Sequence, residues 1–285
     1  MVLLAAAFYF AAFLVLIETW RRIVIAWGDT VGFRDAAHIW LVSSLVRYLP
    51  WNQLFQVGAF AELSRRFGVS PAAGAGAALI NVAVNLASGF IVALIAGYGV
   101  VDTISSGHAT LGVIAAIILL AGTLALPLIL PHTLGLLRAM TGRELDLGRL
   151  PVRAIYISLA GNLVAWVLYG LSYRALVAGV IGRAEGPLAT YIAVYAGAYV
   201  VGYLAFALPA GVGAREIAQV GALPAVGLAT APQAATIAVC ARLLSMVIEI
   251  VPGLFFLSRG TRSRPMTAVH GEQPNDLTER NGSKS

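Results

Sequence analysis

The sequence predicts an all-α protein that crosses a membrane several times, and three observations carry this prediction. Of its 285 residues, 59% are hydrophobic and only 11% are charged, whereas an average soluble domain carries about 25% charged residues. The apolar residues are gathered into long runs without any Asp, Glu, Lys or Arg, and the arginines are concentrated between these runs. The composition therefore favours a membrane protein over a soluble one.

Five runs contain no acidic or basic residue, namely residues 1–17, 71–101, 109–131, 154–173 and 187–214. A further run begins at residue 217 and continues past Arg242 and Glu249 to residue 258. About 20 apolar residues are needed for a helix to cross the hydrocarbon core. Because lipid cannot satisfy backbone polar groups, such runs must be helical. Residues 1–17 lack the basic start of a signal peptide, so we interpret them as a retained helix.

The arginines predict how these helices are oriented. Basic residues cluster at 21–66, 138–153 and 259–264, while residues 67–137 contain none and Arg183 is almost alone in its loop. Cytoplasmic loops are enriched in Lys and Arg. The three clusters are therefore predicted to be cytoplasmic, and the N-terminus and the loop at 102–108 to lie outside.

Two stretches do not fit simple spans. Residues 36–46 form an apolar segment of only 11 residues, followed by Leu49-Pro50 and the mixed segment 51–67. The second break, at residues 208–213, reads LPAGVG. Proline removes a helix hydrogen bond and glycine loosens the backbone. Such irregular backbone is tolerated in a membrane only where protein shields it or where it lines a wet cavity.

The two breaks are predicted to be copies of one another. A shift of 159 residues places Leu49-Pro50 on Leu208-Pro209 and Trp40 on Tyr199. A two-residue insertion then places Asn81 on Arg242. Three spans separate the copies, at about residues 35–101 and 190–258, so they enter from opposite faces as an inverted repeat. In transporters with such repeats, substrates bind near the midplane at broken helices.

The complete prediction is about five full transmembrane helices plus two broken or re-entrant hairpins, all within one domain at residues 1–260. Residues 132–150 are predicted to form a cytoplasmic loop with a surface helix. The polar residues 261–285 are predicted to form a disordered cytoplasmic tail.

The second break also carries a family resemblance. Residues 209–216, PAGVGARE, resemble the Pro-Gly-Gly-hydrophobic-Gly-x-Arg-Glu signature of the lysylphosphatidylglycerol synthase transmembrane-region family, and Arg242-Leu243 resembles its later Arg-Leu. That family includes the flippase half of the multiple peptide resistance factor. This chain departs from the family pattern at Trp51, where glycine is usual, and at Asn81-Val82, where a Glu-Arg pair is common. The resemblance covers residues 18–259 and implies a stand-alone flippase-like domain without the synthase.

Seven residues are candidates for substrate binding: Arg215, Glu216, Arg242, Gly211, Gly213, Glu249 and Asn81. The glycines would precede a half-helix whose N–H groups suit a phosphate, and a guanidinium can grip phosphate oxygens in pairs. Charges at membrane depth are costly and are usually functional.

Structural interpretations of the same residues remain open. Arg215 and Glu216 can mark an exposed helix start. Arg242 and Glu249, two helical turns apart, can stabilise each other. Asn81 is more typical of a contact between helices.

The expected function is movement of an anionic phospholipid or lipid-linked headgroup between leaflets. The alternative is a membrane-embedded enzyme or an accessory subunit of envelope glycolipid or lipid synthesis. The expected partners are the bilayer, its lipid substrate, and either a second copy or a lipid-modifying enzyme; nucleic acid is not expected. The sequence suggests no catalytic group, metal site or cofactor. A bacterial inner or plasma membrane is the expected location.

Overall fold

A computed structural model describes residues 1–48, 52–104, 152–205, 208 and 211–260 of the chain. Within them the helices are α1 (Val2–Ala26), α2 (Phe33–Leu45), α3 (Asn52–Arg66), α4 (Pro71–Ile104), α5 (Val152–Ile181), α6 (Leu188–Leu204), α7 (Ala214–Ala225) and α8 (Ala231–Ser258). A 3-10 turn, Val46–Tyr48, follows α2. The described residues contain no strand, so the predicted all-α class is confirmed.

Four helices are long and apolar enough to cross a membrane: α1, residues Pro71–Ala96 of α4, Arg153–Ile181 of α5, and α8. The shorter α6 is also apolar. The predicted fifth span at residues 109–131, the surface helix at 132–150 and the tail at 261–285 lie outside the described residues. The protein is therefore a multi-pass membrane protein.

The first and fifth helices form the closest pair in the described structure. They run antiparallel, because Ser172 near the end of α5 donates a hydrogen bond to the carbonyl of Ala5 near the start of α1. Farther along, a Cβ on Gly161 would overlap the side chain of Thr19. Small residues of this kind let membrane helices approach closely. This pair supports the two hairpins that surround the candidate site.

The first hairpin, α2 and α3, returns to the side from which it starts. With 13 residues, α2 is about 20 Å long, too short to cross the hydrocarbon core. The ring of His38 near its start lies 4.9 Å from that of Phe67, just after α3. The backbone N–H of Ser70 also donates a hydrogen bond to Asp29, just before α2. Leu49-Pro50, which separates α2 from α3 in the sequence, lies outside the described residues.

The second hairpin, α6 and α7, repeats this geometry. Gly186 before α6 packs close to Leu228 after α7. The two hairpins even end alike: Gly68 and Gly227, 159 residues apart, have φ angles of 73° and 70°. The next N–H donates back to Ser64 in the first hairpin and to Leu223 in the second, at 2.9 and 3.0 Å. Both ends are glycine caps of the Schellman type.

The hairpins enter from opposite ends of the molecule. The last helix, α8, begins at the base of the second hairpin, and its Phe256 ring lies 5.5 Å from His38 at the base of the first. The 25 residues between Ala231 and Phe256 correspond to about 37 Å of helix. In addition, α2 packs on α8 while α6 packs on α4. Each hairpin thus packs on the membrane-spanning helix that follows the other hairpin, which is the arrangement expected of an inverted repeat.

Candidate functional site

A polar cavity lies between the two hairpins. The centre of a water-sized sphere can occupy a volume of about 110 Å³ in this cavity. Roughly 10–15 Å³ of such volume holds one water molecule. The cavity therefore has room for several waters or a small polar group. Five of the predicted site residues line it: Asn81, Gly211, Arg215, Arg242 and Glu249. The predicted Gly213 and Glu216 do not belong to its lining.

Positions related by the repeat line this cavity together. Trp40 and Tyr199, which the 159-residue shift pairs, both line it, and so do Asn81 and Arg242. The same shift pairs a residue that sequence analysis did not single out, Gln56, with Arg215. Both of these also line the cavity. The cavity thus lies where the two halves of the repeat meet.

Arg215 is buried in the first turn of α7, with 7% of its surface exposed. Its guanidinium carbon lies 4.6 Å from the ring centroid of Tyr195 and 5.6 Å from that of Tyr199. Among the described residues its Nη2 has no hydrogen-bond partner, and no carboxylate lies within 4 Å. The aromatic faces stabilise the cation but leave Nη2 unsatisfied. The alternative of an exposed helix start does not describe this residue, because the side chain is buried.

Two glycines determine how closely Arg215 approaches α6. Gly211 has a φ angle of 65°, and a Cβ there would overlap the carbonyl group of Gly202. A Cβ on Gly202 would lie 2.9 Å from the Cβ of Arg215. Gly202 was not identified from the sequence. Pro209 and Ala210 of the predicted motif lie outside the described residues.

Glu216 acts within the protein. Its Oε2 accepts a hydrogen bond of 2.6 Å from the backbone N–H of Gly213, which caps α7. Its Oε1 lies 3.6 Å from Nε of Arg242, with which it forms an ion pair. A carboxylate therefore already occupies part of the α7 N-terminus. Side chains, chiefly Arg215, are better placed than this helix end to hold an anion.

Glu249 connects α8 to the first hairpin. Its Oε2 accepts hydrogen bonds from Arg47 at 3.2 Å and from the Tyr48 hydroxyl at 2.8 Å. Its Oε1 accepts one from the hydroxyl of Tyr9 in α1. The ion pair of Glu249 is therefore with Arg47, whereas the sequence had suggested Arg242 as its structural partner.

Asn81 connects two helices and also lines the cavity. Its Oδ1 accepts hydrogen bonds from Ser158 and from Asn162, at 3.2 and 2.9 Å, across the α4–α5 interface. Asn85 joins the same network by donating to Asn162. Both Asn81 and Asn85 also line the cavity. The expected contact between helices is therefore present, and it lies at the wall of the cavity.

The residues that sequence analysis missed have one feature in common. Arg47, Tyr9 and Tyr195 come from segments far apart in the chain, so no local motif contains them. One signal in the sequence points to Gln56, since the repeat shift places it on Arg215. Applying that shift to every polar residue near the breaks would have found it.

Comparison of the chain with protein-family models, with curated proteins and with solved structures finds no match. The site is therefore interpreted from its own geometry. Fold and cavity together define a multi-pass α-helical membrane protein with an inverted repeat around a central polar cavity. Among the described residues no group of three or more His, Cys, Asp or Glu side chains is placed to hold a metal ion.

Proposed function

We propose that this protein moves an anionic lipid headgroup between the two leaflets of a cell membrane, and that Arg215 binds the headgroup phosphate. The observation that carries the proposal is the buried Nη2 of Arg215, a residue that lines the cavity; this donor has no hydrogen-bond partner among the described residues. An unsatisfied buried donor costs about 1–3 kcal/mol, and more when it is charged. A phosphate oxygen would supply the missing acceptor.

The charge balance of the site supports an anionic ligand. Arg47, Arg215 and Arg242 line the cavity together with Glu249, and Glu216 pairs with Arg242 from outside the lining. Among the described residues, three positive charges against two negative charges leave one positive charge. A phosphodiester carries one negative charge, so it would neutralise the cavity. Neutralisation matters because an uncompensated charge is expensive at membrane depth.

The repeat supports transport over simple binding. The two hairpins start from opposite ends of the molecule and meet at one cavity, which is the arrangement in which movement of the halves can expose a single site to either side. The resemblance of residues 209–216 to the flippase half of the multiple peptide resistance factor points the same way. A bacterial inner or plasma membrane is the proposed location.

Purified protein in liposomes tests the proposal. An acyl-chain fluorescent phosphatidylglycerol is followed as it reaches the outer leaflet, where dithionite bleaches it. Arg215→Ala and Arg215→Lys should each slow translocation roughly tenfold or more, since lysine keeps the charge but loses the planar pair of donors. Arg183→Ala is the matched control, because Arg183 is exposed and pairs only with exposed Glu185.

Normal translocation by folded Arg215→Ala would refute the assignment of Arg215. A covalently altered lipid would instead support the enzyme alternative. No translocation and no product by the wild-type protein would support the accessory-subunit alternative.

A further inference from the structure

We infer that the headgroup is a phosphodiester whose second substituent is uncharged and rich in hydroxyl groups, such as glycerol or a sugar. This inference rests on the proposed function and concerns the cavity-lining residues of the first half of the repeat. The repeat places uncharged amides there, Gln56 at the position of Arg215 and Asn81 at the position of Arg242. Arg47 is the charged residue of this half, and its charge is paired with Glu249. The second half thus suits the phosphate, and the amides of the first half suit a neutral polar group.

The amides of the neutral half are available to a ligand. The Oδ1 of Asn81 is occupied by Ser158 and Asn162, which fixes the amide and leaves its NH₂ group as a donor without a partner among the described residues. The side chain of Gln56 lines the cavity with no hydrogen bond to another described residue. It offers both a donor and an acceptor. Hydroxyl groups match this set because each one can donate and accept.

A second unpartnered donor lies in the same half. The side chain of Trp40 is 6% exposed and lines the cavity, and within the described part of the chain its indole N–H has no hydrogen-bond partner. A buried indole N–H usually finds a partner. Its counterpart in the repeat, Tyr199, lies beside Arg215. The ring of Trp40 also presents an apolar surface to the C–H groups of a polyol, while its N–H meets a hydroxyl.

The carboxylates argue against an amine in this position. Glu249 accepts hydrogen bonds from Arg47, Tyr48 and Tyr9. Glu216 caps α7 and pairs with Arg242. Because both carboxylates already have cationic partners, neither is left to compensate an ammonium group. An ethanolamine or aminoacyl headgroup would bring a positive charge to a cavity that already has an excess of one.

Three acyl-labelled lipids with identical chains test the inference in the liposome assay. Phosphatidylglycerol carries hydroxyl groups, phosphatidylethanol is an anionic phosphodiester without them, and phosphatidylethanolamine carries an amine. The wild-type protein should move phosphatidylglycerol about three- to tenfold faster than phosphatidylethanol, as expected for one or two added hydrogen bonds. Phosphatidylethanolamine should be the slowest.

Two variants test which residues cause the preference for phosphatidylglycerol over phosphatidylethanol. Gln56→Leu keeps the size of the side chain and should lower the ratio of the phosphatidylglycerol rate to the phosphatidylethanol rate toward one. Trp40→Phe keeps a ring but removes the N–H, and should reduce the preference in the same direction. Gln233→Leu is the matched control, since Gln233 is exposed at the start of α8, outside the cavity lining.

The outcomes separate this inference from the proposed function. Equal rates for phosphatidylglycerol and phosphatidylethanol, with both lost in Arg215→Ala, would overturn the hydroxyl-rich headgroup and leave anion transport standing. Fastest transport of phosphatidylethanolamine would overturn the inference as well. Rates that do not respond to Arg215→Ala for any lipid would remove the proposed function itself.

Discussion

The two hairpins have nearly the same backbone and opposite chemistry. Both consist of a short helix, a break, a second short helix and a glycine cap, and each leads into a membrane-spanning helix. Yet the first presents Gln56 and, from the following span, Asn81 to the cavity, where the second presents Arg215 and Arg242. The difference shows that the repeat fixes where the site lies, while substitutions between its copies determine which end of a ligand each half can hold.

The breaks themselves also differ. In the first hairpin α3 begins at Asn52, whereas in the second the equivalent position is Gly211 and α7 begins three residues later, at Ala214. The glycine, with its positive φ angle, packs against Gly202 of α6. The second hairpin therefore has a shorter helix and a tighter approach to α6. This geometry places the guanidinium of Arg215 between aromatic rings.

The largest expected effect is on the side from which each hairpin is labelled. In a Cys240→Ala background, single cysteines replacing Asp35 and Arg65 should react with an impermeant maleimide from one side only. Cysteines replacing Arg183 and Thr230, at the base of the second hairpin, should react only from the other. The reason is that the bases of the hairpins lie at opposite ends of α8. The readout is labelling of intact cells compared with inverted vesicles.

Reaction of the first pair from opposite sides would contradict the hairpin, and reaction of all four cysteines from one side would contradict the inverted repeat. The arginine distribution also predicts which side is the cytoplasm, and it assigns the base of the first hairpin to it. A cysteine at Ser105, in the loop predicted to lie outside, should react with the second pair.

Much of this fold could be predicted from the sequence because its physical cause is local. Runs of about 20 apolar residues have no stable alternative to a helix in lipid, and a segment as short as residues 36–46 cannot cross. The repeat was visible because glycine and proline are required at fixed points of each hairpin. Gly68 and Gly227 have positive φ angles that other residues rarely adopt.

The partners of the charged residues could not be predicted in the same way. Arg47 and Glu249 are 202 residues apart in the chain and meet only because α2 packs on α8. The helical spacing of Arg242 and Glu249 suggested a pair, since it places both on one face of α8. Tertiary packing instead brought Glu216 to Arg242. Spacing within a helix identifies a shared face but not which neighbouring helix covers it.

The second expected effect compares two glycines of one break. Gly211→Ala should lower the free energy of unfolding by about 3 kcal/mol, because it combines an unfavourable left-handed backbone with overlap of the Gly202 carbonyl. Gly213→Ala has a similar φ angle, 88°, but open space around its Cβ, so about 1 kcal/mol is expected. Thermal unfolding in one detergent ranks the two variants. Equal losses would show that close packing on Gly202 contributes nothing.

The smallest expected effect compares Glu249 with Ser88, its counterpart in the first half of the repeat. Ser88 accepts a hydrogen bond from the indole N–H of Trp166, so Ser88→Ala should cost about 1 kcal/mol. Glu249→Gln leaves the charge of Arg47 without its carboxylate and should cost about 2 kcal/mol. The figure lies below the 3–5 kcal/mol typical of broken buried pairs because Arg47 is partly exposed.

A double variant separates the charge from the packing at Glu249. Arg47→Gln combined with Glu249→Gln removes both charges, so it should unfold at a higher temperature than Glu249→Gln alone. If the double variant is instead the less stable, Arg47 stabilises the hairpin through contacts other than this ion pair. The two side chains also connect different elements. Glu249 joins α8 to the first hairpin, while Ser88 joins α4 to α5. Glu249→Gln should therefore increase the reactivity of a cysteine at Val46, in the turn that carries Arg47, whereas Ser88→Ala should leave it unchanged.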